Sequence, residues 1–496
     1  MIYKYAHIPR TVKFQDLKNN ILSSSMYRSV DFGGKKTIKI KNLLERQLNK
    51  SSLGKEIGSA AYIKKSSHYF IRTQCLNENS YTLIPEKGQP MLPQEFDGCG
   101  ISKGDIIISK DGNIGEICIA AQDYPNYMLS GALYKLSFKG KFKNYAFAWI
   151  KNKIFREQLD TLVPKGATLR HAKTKFLDCD IIIPYNYNNE VDYALIDYIN
   201  VLVNAIIEKE SQIRQIHNKI LSIIHNEIIS HQQTVYQYSY PNLKDLAKNS
   251  RIDAGYYCEK YKQIEHTILN YNGGYEYLDN IGLLLIPGPS LEMKLLQVRI
   301  DSDKWREGYY RLITPTVISN FGVTTKDMYI GTPRNIPFIK KYDMLFGESG
   351  TGRSMVFLDD DKNVINNAHA HILRPQNCTI HKTITTRCVL QYYKEIGFTD
   401  YLTVGGAGGH LSPSYFNRVP IPNFSEETEK VISKLYYSQS TIPYISSFND
   451  FEDVDHKFNQ LAGIYELDKT AKLLKKRINS FFENLFNGSE INIEFY

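Results

Sequence analysis

Four groups of residues have the types and spacing that chemistry could use. Gly347–Ser354 reads GESGTGRS, which fits the phosphate-loop pattern GxxxxGK[ST] except that Arg353 stands in place of the Lys. Such a loop needs backbone N–H groups around the phosphates, a Lys on the β/γ-phosphates and a helix opening directly behind it. Here DMLF precedes the loop and SMVFLDDD follows it, so a hairpin between two strands explains the segment better than nucleotide binding. His369, His371 and His410 could suggest a metal, since residues two apart share a strand face. Three His without a Cys or carboxylate at ligand spacing support that weakly. Asp279 with Glu292 and Lys294 gives an acid followed by E-x-K, as in some nucleases, but it sits in an ordinary turn, IPGPSLEMK. Methyl transfer would need a cofactor-binding glycine motif after a strand and an Asn-Pro-Pro-aromatic motif, and neither occurs. Catalysis in this polypeptide is not expected.

The fourth group suits binding. AAYIKKSSHYFIRTQ interleaves basic, polar and aromatic residues and offers Lys64, Lys65, His68, Tyr69 and Arg72 as DNA contacts. A second basic cluster after a Gly contains Lys165, Arg170, His171, Lys173 and Lys175, and the second half adds Arg334 (in GTPRN), Arg353 and His410. Arg pairs with guanine edges, and Asn or Gln with adenine. Loops read bases while a scaffold holds them in place. The plainer reading of each residue is a solvated surface charge.

Charge and composition frame these candidates. The chain has 496 residues, enough for about three or four structural units. At 42% hydrophobic and 23% charged it is an ordinary globular composition. Seven Cys are scattered without a CxxC pair, which reads as reduced thiols, not a disulfide framework or a zinc site. No apolar run nears the roughly 18 residues of a membrane span, and MIYKYAHIPR lacks the apolar core of a signal peptide. A soluble, cytoplasmic protein is expected. The net charge is +9, unevenly spread: residues 1–185 carry 29 Lys and Arg against 16 Asp and Glu, while residues 186–239 carry 3 against 6. Residues 240–424 carry 21 against 18, and residues 425–496 carry 8 against 12. Basic blocks favour a polyanion, because each phosphate contact releases condensed counterions.

The chain also repeats itself. KGDIIISKDGNIG (Lys103–Gly115) lies over KYDMLFGESGTG (Lys341–Gly352), with Asp105 matching Asp343 at an offset of 238. VPKGATLRHAKTKFLDCDIIIP (Val163–Pro184) lies over TVGGAGGHLSPSYFNRVPIP (Thr403–Pro422), with Phe176 matching Phe416 at an offset of 240. Shared order and near-constant spacing point to duplication. Short runs such as DIIISK, EICIA and AHAHIL, bounded by turn residues, predict strands of a mixed, mostly β domain in each copy.

A helical segment follows each domain. Leu195, Ile199, Leu202, Ile206, Lys209, Ile213, Ile216, Ile220 and Ile223 alternate 4-3-4-3, a heptad seam with one polar entry. The helix is expected over Asn189–Ile229. Lys209, as the one polar entry, is expected to tolerate an insertion better than Ile206 or Ile213. Leu467, Ala471, Leu474, Ile478, Phe481 and Leu485 form a second seam. Ser425 reads as an N-cap with acids in the first turn, and Thr441–Asp455 as a break. Antiparallel pairing of the two helices would put one basic domain toward each end of a rod, related by a pseudo-two-fold axis. The predicted divisions are 1–187, first recognition domain; 188–232, central spacer helix; 233–424, second recognition domain; and 425–487, distal helical region. Two similar basic modules at a fixed separation suit a two-part target.

These motifs together carry a family resemblance. RIDAGYY (Arg251–Tyr257), GDIIISKDGNIG, NNAHAHILRP (Asn366–Pro375) and GGAGGHLSPSYFNRVPIP running into a helix resemble the specificity (S) subunit of type I restriction-modification systems, over essentially the whole chain. The first domain departs from the pattern, with SSMYRSVDF where RIDAGYY would stand, and the distal helical region is long and interrupted. The resemblance implies an α+β chain whose two mixed, mostly β target-recognition domains are separated by long antiparallel coiled-coil helices. Each domain would read one half of a bipartite double-stranded DNA target. The helices would dock two DNA methyltransferase subunits and, through them, restriction/translocase subunits. No cofactor is expected in this chain; S-adenosylmethionine and ATP belong to the partner subunits. An interaction scaffold that does not bind DNA, or a phosphate-loop protein, are the alternatives.

Overall fold

Ile106-Ile107-Ile108 is apolar at every position because the sheet it enters is covered on both faces. Ile106 and Ile108 join one core with Phe147, Ile150 and Phe155; Ile107 joins another with Cys118 and Leu133. The structure, a computed structural model, describes residues 3–17, 27–163, 171–249, 251–348, 352–403, 410–445 and 447–496. The chain divides into two compact units. The first holds residues 1–212, 441–460 and 467–496; the second holds 213–440 and 461–466.

In the first unit, β1 (Thr37–Lys39) is followed by β2 (His68–Ile71), β3 (Gln89–Met91), β4 (Ile106–Ser109), β5 (Ile117–Ile119), β6 (Tyr127–Leu129) and β7 (Leu133–Leu136). Helices α1 (Phe142–Lys151) and α2 (Lys153–Leu162) come next, then β8 (Asp180–Ile182) and α3 (Tyr193–Ser230). β4 lies between β5 and β7, antiparallel to both. β2 pairs antiparallel with β3 and parallel with β6. β1 and β8 form an antiparallel pair.

The second unit repeats this plan. It contains β9 (Tyr275–Tyr277), β10 (Leu283–Ile286), β11 (Ile300–Ser302), β12 (Tyr309–Leu312), β13 (Tyr329–Gly331), β14 (Met344–Gly347), β15 (Ser354–Val356), β16 (Val364–Ile365), β17 (Ala370–Pro375), α4 (Ile380–Ile396), α5 (Phe398–Leu402) and β18 (Pro420–Pro422). β14 lies between β15 and β17, as β4 lies between β5 and β7. β12 has an antiparallel neighbour, β13, and a parallel one, β16, as β2 has. β9 pairs with β18. β10 and β11 are additions, each widening its sheet by one edge strand.

The repeat extends to single side chains. Asp105 accepts from Ser102 N–H at 2.7 Å and takes Lys135 Nζ at 2.6 Å. Asp343, 1% exposed, accepts from Lys340 N–H at 2.8 Å and holds Arg374 through two bonds of 2.9 and 2.7 Å. In both copies the acid opens the hairpin and its cation stands on the neighbouring strand. The duplication expected from spacing is thus carried by topology and by this acid–cation link. The Gly-Ala landmarks at 166–167 and 406–407 lie outside the described residues.

The helical regions follow expectation with instructive departures. α3 begins at Tyr193, not Asn189: Asn189 has φ 63° in a turn, and Asp192 accepts from Ala194 N–H at 3.1 Å as the cap. One buried row runs Ile196, Ile199, Leu202, Ile206, Lys209, Ile213, His217, Ile220, Ile224 and Ile228, and Tyr198, Val203 and Ala205 widen the buried face near its start. The heptad seam had named Leu195, Ile216 and Ile223 instead. A straight α-helix turns every 3.6 residues, so toward the C-terminal end its buried row runs ahead of a 3.5-residue template by one position; at the start the buried face is simply broad. Downstream lie α6 (Glu426–Tyr436), α7 (Phe451–Leu461) and α8 (Ile464–Asn487), so the distal region is interrupted, but Phe451–Asp455 is already helical. Ser425 caps α6 as expected, accepting from Thr428 N–H at 3.1 Å. Within the first unit, α3 and α8 run in opposite senses: Tyr198 meets Phe481, and Glu210 takes Lys475 Nζ at 2.6 Å. No helix of the described residues is long and apolar enough to cross a membrane.

Lys209 corrects the sequence expectation. Its side chain is fully buried, with Nζ 2.5 Å from Asp455 Oδ1 and 2.5 Å from Asn459 Oδ1. The rings of Phe458 and Tyr496 flank it, and Tyr496 donates its hydroxyl to Asp455. A polar residue in an apolar seam marks a fixed partner here, not slack.

His217, in the second unit, is buried against the ring of Phe321. Burial, helped by the charge of Arg387, pushes its pKa down to about 3. The folded chain therefore holds a neutral imidazole while the unfolded chain binds a proton below about pH 6.5. More protons on the unfolded state means that stability falls as pH falls through the window from about 6.5 toward 3. The expected cost is roughly 1 kcal/mol per pH unit below about pH 6. Denaturant titrations at pH 7, 6 and 5 should show this slope for the second unit's transition, and His217→Phe should flatten it. An equal slope in the variant would assign the acid sensitivity to other groups.

Candidate nucleic-acid interface

Each hairpin ends in a loop that a second segment braces. In the first unit Ala172 N–H donates to the Lys110 carbonyl at 2.7 Å; in the second, Leu411 N–H donates to the Glu348 carbonyl at 3.1 Å. The bracing segments are those that follow 164–170 and 404–409. Each copy thus brings its hairpin loop and its bracing segment together at one end of a sheet.

At the first tip, His171 Nδ1 lies 2.6 Å from Asp111 Oδ1, and Lys110 Nζ pairs with the same carboxyl at 2.6 Å. Arg156 reaches in from α2, donating to the Ile114 carbonyl at 2.7 Å and to Glu116 at 2.8 Å. Gly115 has φ +73°, and a Cβ there would stand 2.6 Å from Leu159, so the loop needs glycine at this point. Lys173, with φ 47°, and Lys175 are exposed beside it, the latter donating to the Leu162 carbonyl at 3.1 Å. Of the five residues expected in this cluster, His171, Lys173 and Lys175 come together. Lys165 and Arg170 lie outside the described residues.

At the second tip, His371 of β17 is 8% exposed, with Nε2 3.6 Å from Glu348 Oε2. The backbone of Glu348 is bracketed by the carbonyl of His369 at 3.0 Å and the N–H of Leu411. His369 and His410 are exposed. Arg353 is half-buried at the root of the loop. Gly347–Ser354 joins two antiparallel strands, and Ser354 is already in β15. A strand therefore stands where a phosphate loop needs its helix, and the hairpin expectation holds. Among the described residues no group of three His, Cys, Asp or Glu is placed to hold a metal. Glu292 and Lys294 pair with each other at 2.8 Å on an exposed turn.

The KKSSHYFIR stretch is organised by β2. Lys64 and Lys65 are exposed in the segment before it. Alternation along the strand then splits the rest. His68 packs on Phe96 at 5.0 Å, and Arg72 lies over Tyr62 at 5.6 Å. Tyr69 turns to the other face and stacks on Tyr127 at 4.9 Å. These five residues form one neighbourhood but not one surface. Arg334 is exposed in the loop after β13, its carbonyl accepting from Tyr310 OH at 3.1 Å. It belongs to the other sheet and not to the hairpin tip. The structure adds Lys110 and Arg156 to the first tip, neither singled out from sequence. Lys110 could have been found, since it sits in the hairpin motif itself; Arg156, on a helix, carries no such signal.

No family model and no curated protein matches the sequence. Among solved structures, the chain is similar to a type I restriction-modification system S subunit from M. genitalium, at 13% identity and a TM-score of 0.37, covering 92% of this chain and 96% of that one. It is also similar to the HsdS subunit from Thermoanaerobacter tengcongensis, at 10% identity and a TM-score of 0.26, covering 92% and 98%. A third similar chain comes from a structure describing complex assembly and conformational transition of the type I R-M system, at 10% identity and a TM-score of 0.27. These similarities span most of the chain, but TM-scores below 0.5 leave the case for function to the residues described above.

Proposed function

We propose that this chain is the non-catalytic, sequence-specific DNA-recognition subunit of a type I restriction-modification complex. Each of its two repeats reads one half of a bipartite target, and its helices dock DNA methyltransferase subunits that carry the S-adenosylmethionine. ATP would belong to restriction subunits bound through them. One observation carries the reading: the two copies share their strand order and their acid–cation link but differ at the hairpin tips. Lys110 stands where the second copy has Glu348, although the segment bracing each one presents a His at the same place, His171 and His410. A constant frame with different tips is what reading two different half-sites requires. The surplus of Lys and Arg in residues 1–185 supports a polyanion as the thing read.

Salt titration tests it. Binding of the full chain to duplex DNA should weaken roughly a thousandfold between 50 and 200 mM salt, if about six phosphates are contacted. Fluorescence anisotropy at a series of salt concentrations gives the slope. Affinity indifferent to salt, or none for duplex at 50 mM, would favour a protein scaffold instead.

A further inference from the structure

RIDAGYY grips α5, the short helix that stands between it and the second hairpin. Arg251 pairs with Asp253 through two bonds of 2.8 Å, and its Nη1 donates to the carbonyls of Tyr401 and Leu402, both at 3.4 Å. These carbonyls close the C-terminal end of α5, where a helix has none of its own donors left. The Tyr256 ring lies flat on the Tyr401 ring, with centroids 4.5 Å apart and planes 9° from parallel. Tyr261 stacks on Tyr401 as well, at 5.4 Å. Lys262, on the helix Glu259–Leu269, sends its ammonium in among the rings. It donates to the Tyr401 hydroxyl at 2.8 Å and lies 4.4 Å from the Tyr256 centroid and 5.4 Å from that of Tyr257. Tyr401 is 2% exposed, so the grip is internal. Two residues earlier, about 200° round the helix, α5 meets the hairpin: the Thr399 methyl lies 3.8 Å from where a Cβ on Gly352 would stand. Beyond α5 the chain returns at Leu411, whose N–H braces the same hairpin at the Glu348 carbonyl.

The first copy lacks both halves of this grip. SSMYRSVDF stands where RIDAGYY would. DYL (Asp400–Leu402) lies over DTL (Asp160–Leu162) at the offset of 240 that also joins Phe176 to Phe416, so Thr161 takes the place of Tyr401. The Thr161 hydroxyl turns back to the Gln158 carbonyl of its own helix at 2.7 Å. Motif and ring are present together in one repeat and absent together from the other, as two parts of one device would be. The first copy still places its hairpin strand between the same two neighbours, so the sheet frame forms without the grip. We propose that RIDAGYY is a clamp on Tyr401, and that Arg251 and Lys262 are positioning residues: through α5 they set the second hairpin tip, and with it the selectivity of the half-site that this domain reads. This rests on the DNA-recognition reading and deepens it. The first half-site is read without such a clamp.

The test uses the full chain with Tyr401→Phe, Lys262→Met and Lys262→Arg, each compared with wild type by circular dichroism melting. Tyr401→Phe is the mildest change, since it keeps the stacked ring and removes only the hydroxyl. In cells carrying the chain with its methyltransferase, Tyr401→Phe and Lys262→Met should raise methylation at sites with one mismatch in the second domain's half by roughly tenfold. Mismatches in the other half should be rejected as in wild type. Lys262→Arg keeps a cation over the rings and should keep wild-type selectivity. Selectivity lost in both halves together, or in neither, overturns the clamp. Hydrogen exchange supplies a readout that needs no DNA. The Leu411 amide should exchange roughly tenfold faster in Tyr401→Phe and Lys262→Met, while the Ala172 amide, its counterpart at the first tip, is unchanged. Unchanged exchange at Leu411 overturns the clamp, as does a uniform rise across the second unit's sheets, which would mark general destabilisation. If wild type methylates no bipartite motif, the DNA-recognition reading fails; faster exchange confined to the Leu411 brace would still support a clamp that sets the second tip.

Discussion

Replacing residues 1–187 with the corresponding domain of another chain of this architecture should change one half of the methylated DNA sequence and leave the other half as it was. The expectation follows from how the first copy is built. Its strands β1 to β8 complete their sheets among themselves, and its acid–cation link Asp105–Lys135 is internal to it. The second copy closes its own sheets and holds Asp343–Arg374 within them. Each hairpin tip is shaped by strands of its own copy. Discrimination at a mismatched base pair costs about 1–3 kcal/mol, so a new domain should shift preference at its own positions by roughly tenfold or more per base pair. The measurement is the set of methylated motifs in cells carrying the chimera with its methyltransferase. Two changed halves would mean that the copies read DNA jointly and the modular reading is wrong.

Much of this architecture was legible beforehand, for reasons that differ by element. The repeat showed because DIII and DMLF open equivalent hairpins, and an acid at the start of a buried strand must find a cation in the same place each time. The rejection of a phosphate loop was legible too, since SMVF after the loop reads as a strand. The seam of α3 was legible only to within one position, because an apolar heptad pattern and a 3.6-residue helix agree over short spans and drift over long ones. The tips were read least well. Tyr69 and His68 look adjacent in sequence, yet strand alternation sends one to Tyr127 and the other to Phe96. Arg156 could not have been singled out, because its partners Ile114 and Glu116 come from a hairpin earlier in the chain and only the packed fold joins them.

Lys209 is where reading by pattern and reading by structure give opposite advice, and the difference is large enough to measure. A polar residue in a heptad seam invites insertion or substitution, as the weak point of the packing. The structure makes it the strong point. Asp455→Leu would leave a buried ammonium held by Asn459 between two aromatic rings, without its paired carboxylate. Breaking a buried pair from one side costs about 3–5 kcal/mol, because the remaining charge is uncompensated. That is a large part of the roughly 5–15 kcal/mol that holds a typical domain folded. Lys209→Met should cost less, since Asp455 keeps the Asn459 amide at 3.1 Å and the Tyr496 hydroxyl. The double change Lys209→Met with Asp455→Leu should recover most of the loss or exceed wild type, as apolar replacements of buried pairs often do. Equilibrium unfolding of the two single variants and the double variant completes a double-mutant cycle with wild type. A coupling of several kcal/mol is expected, and a coupling near zero would mean that Lys209 does not depend on Asp455. A four-residue insertion at Lys209 should therefore destabilise the first unit by the same mechanism. To lengthen α3 without that penalty, the insertion belongs between Asn218 and Lys219, two exposed positions where no buried charge is displaced.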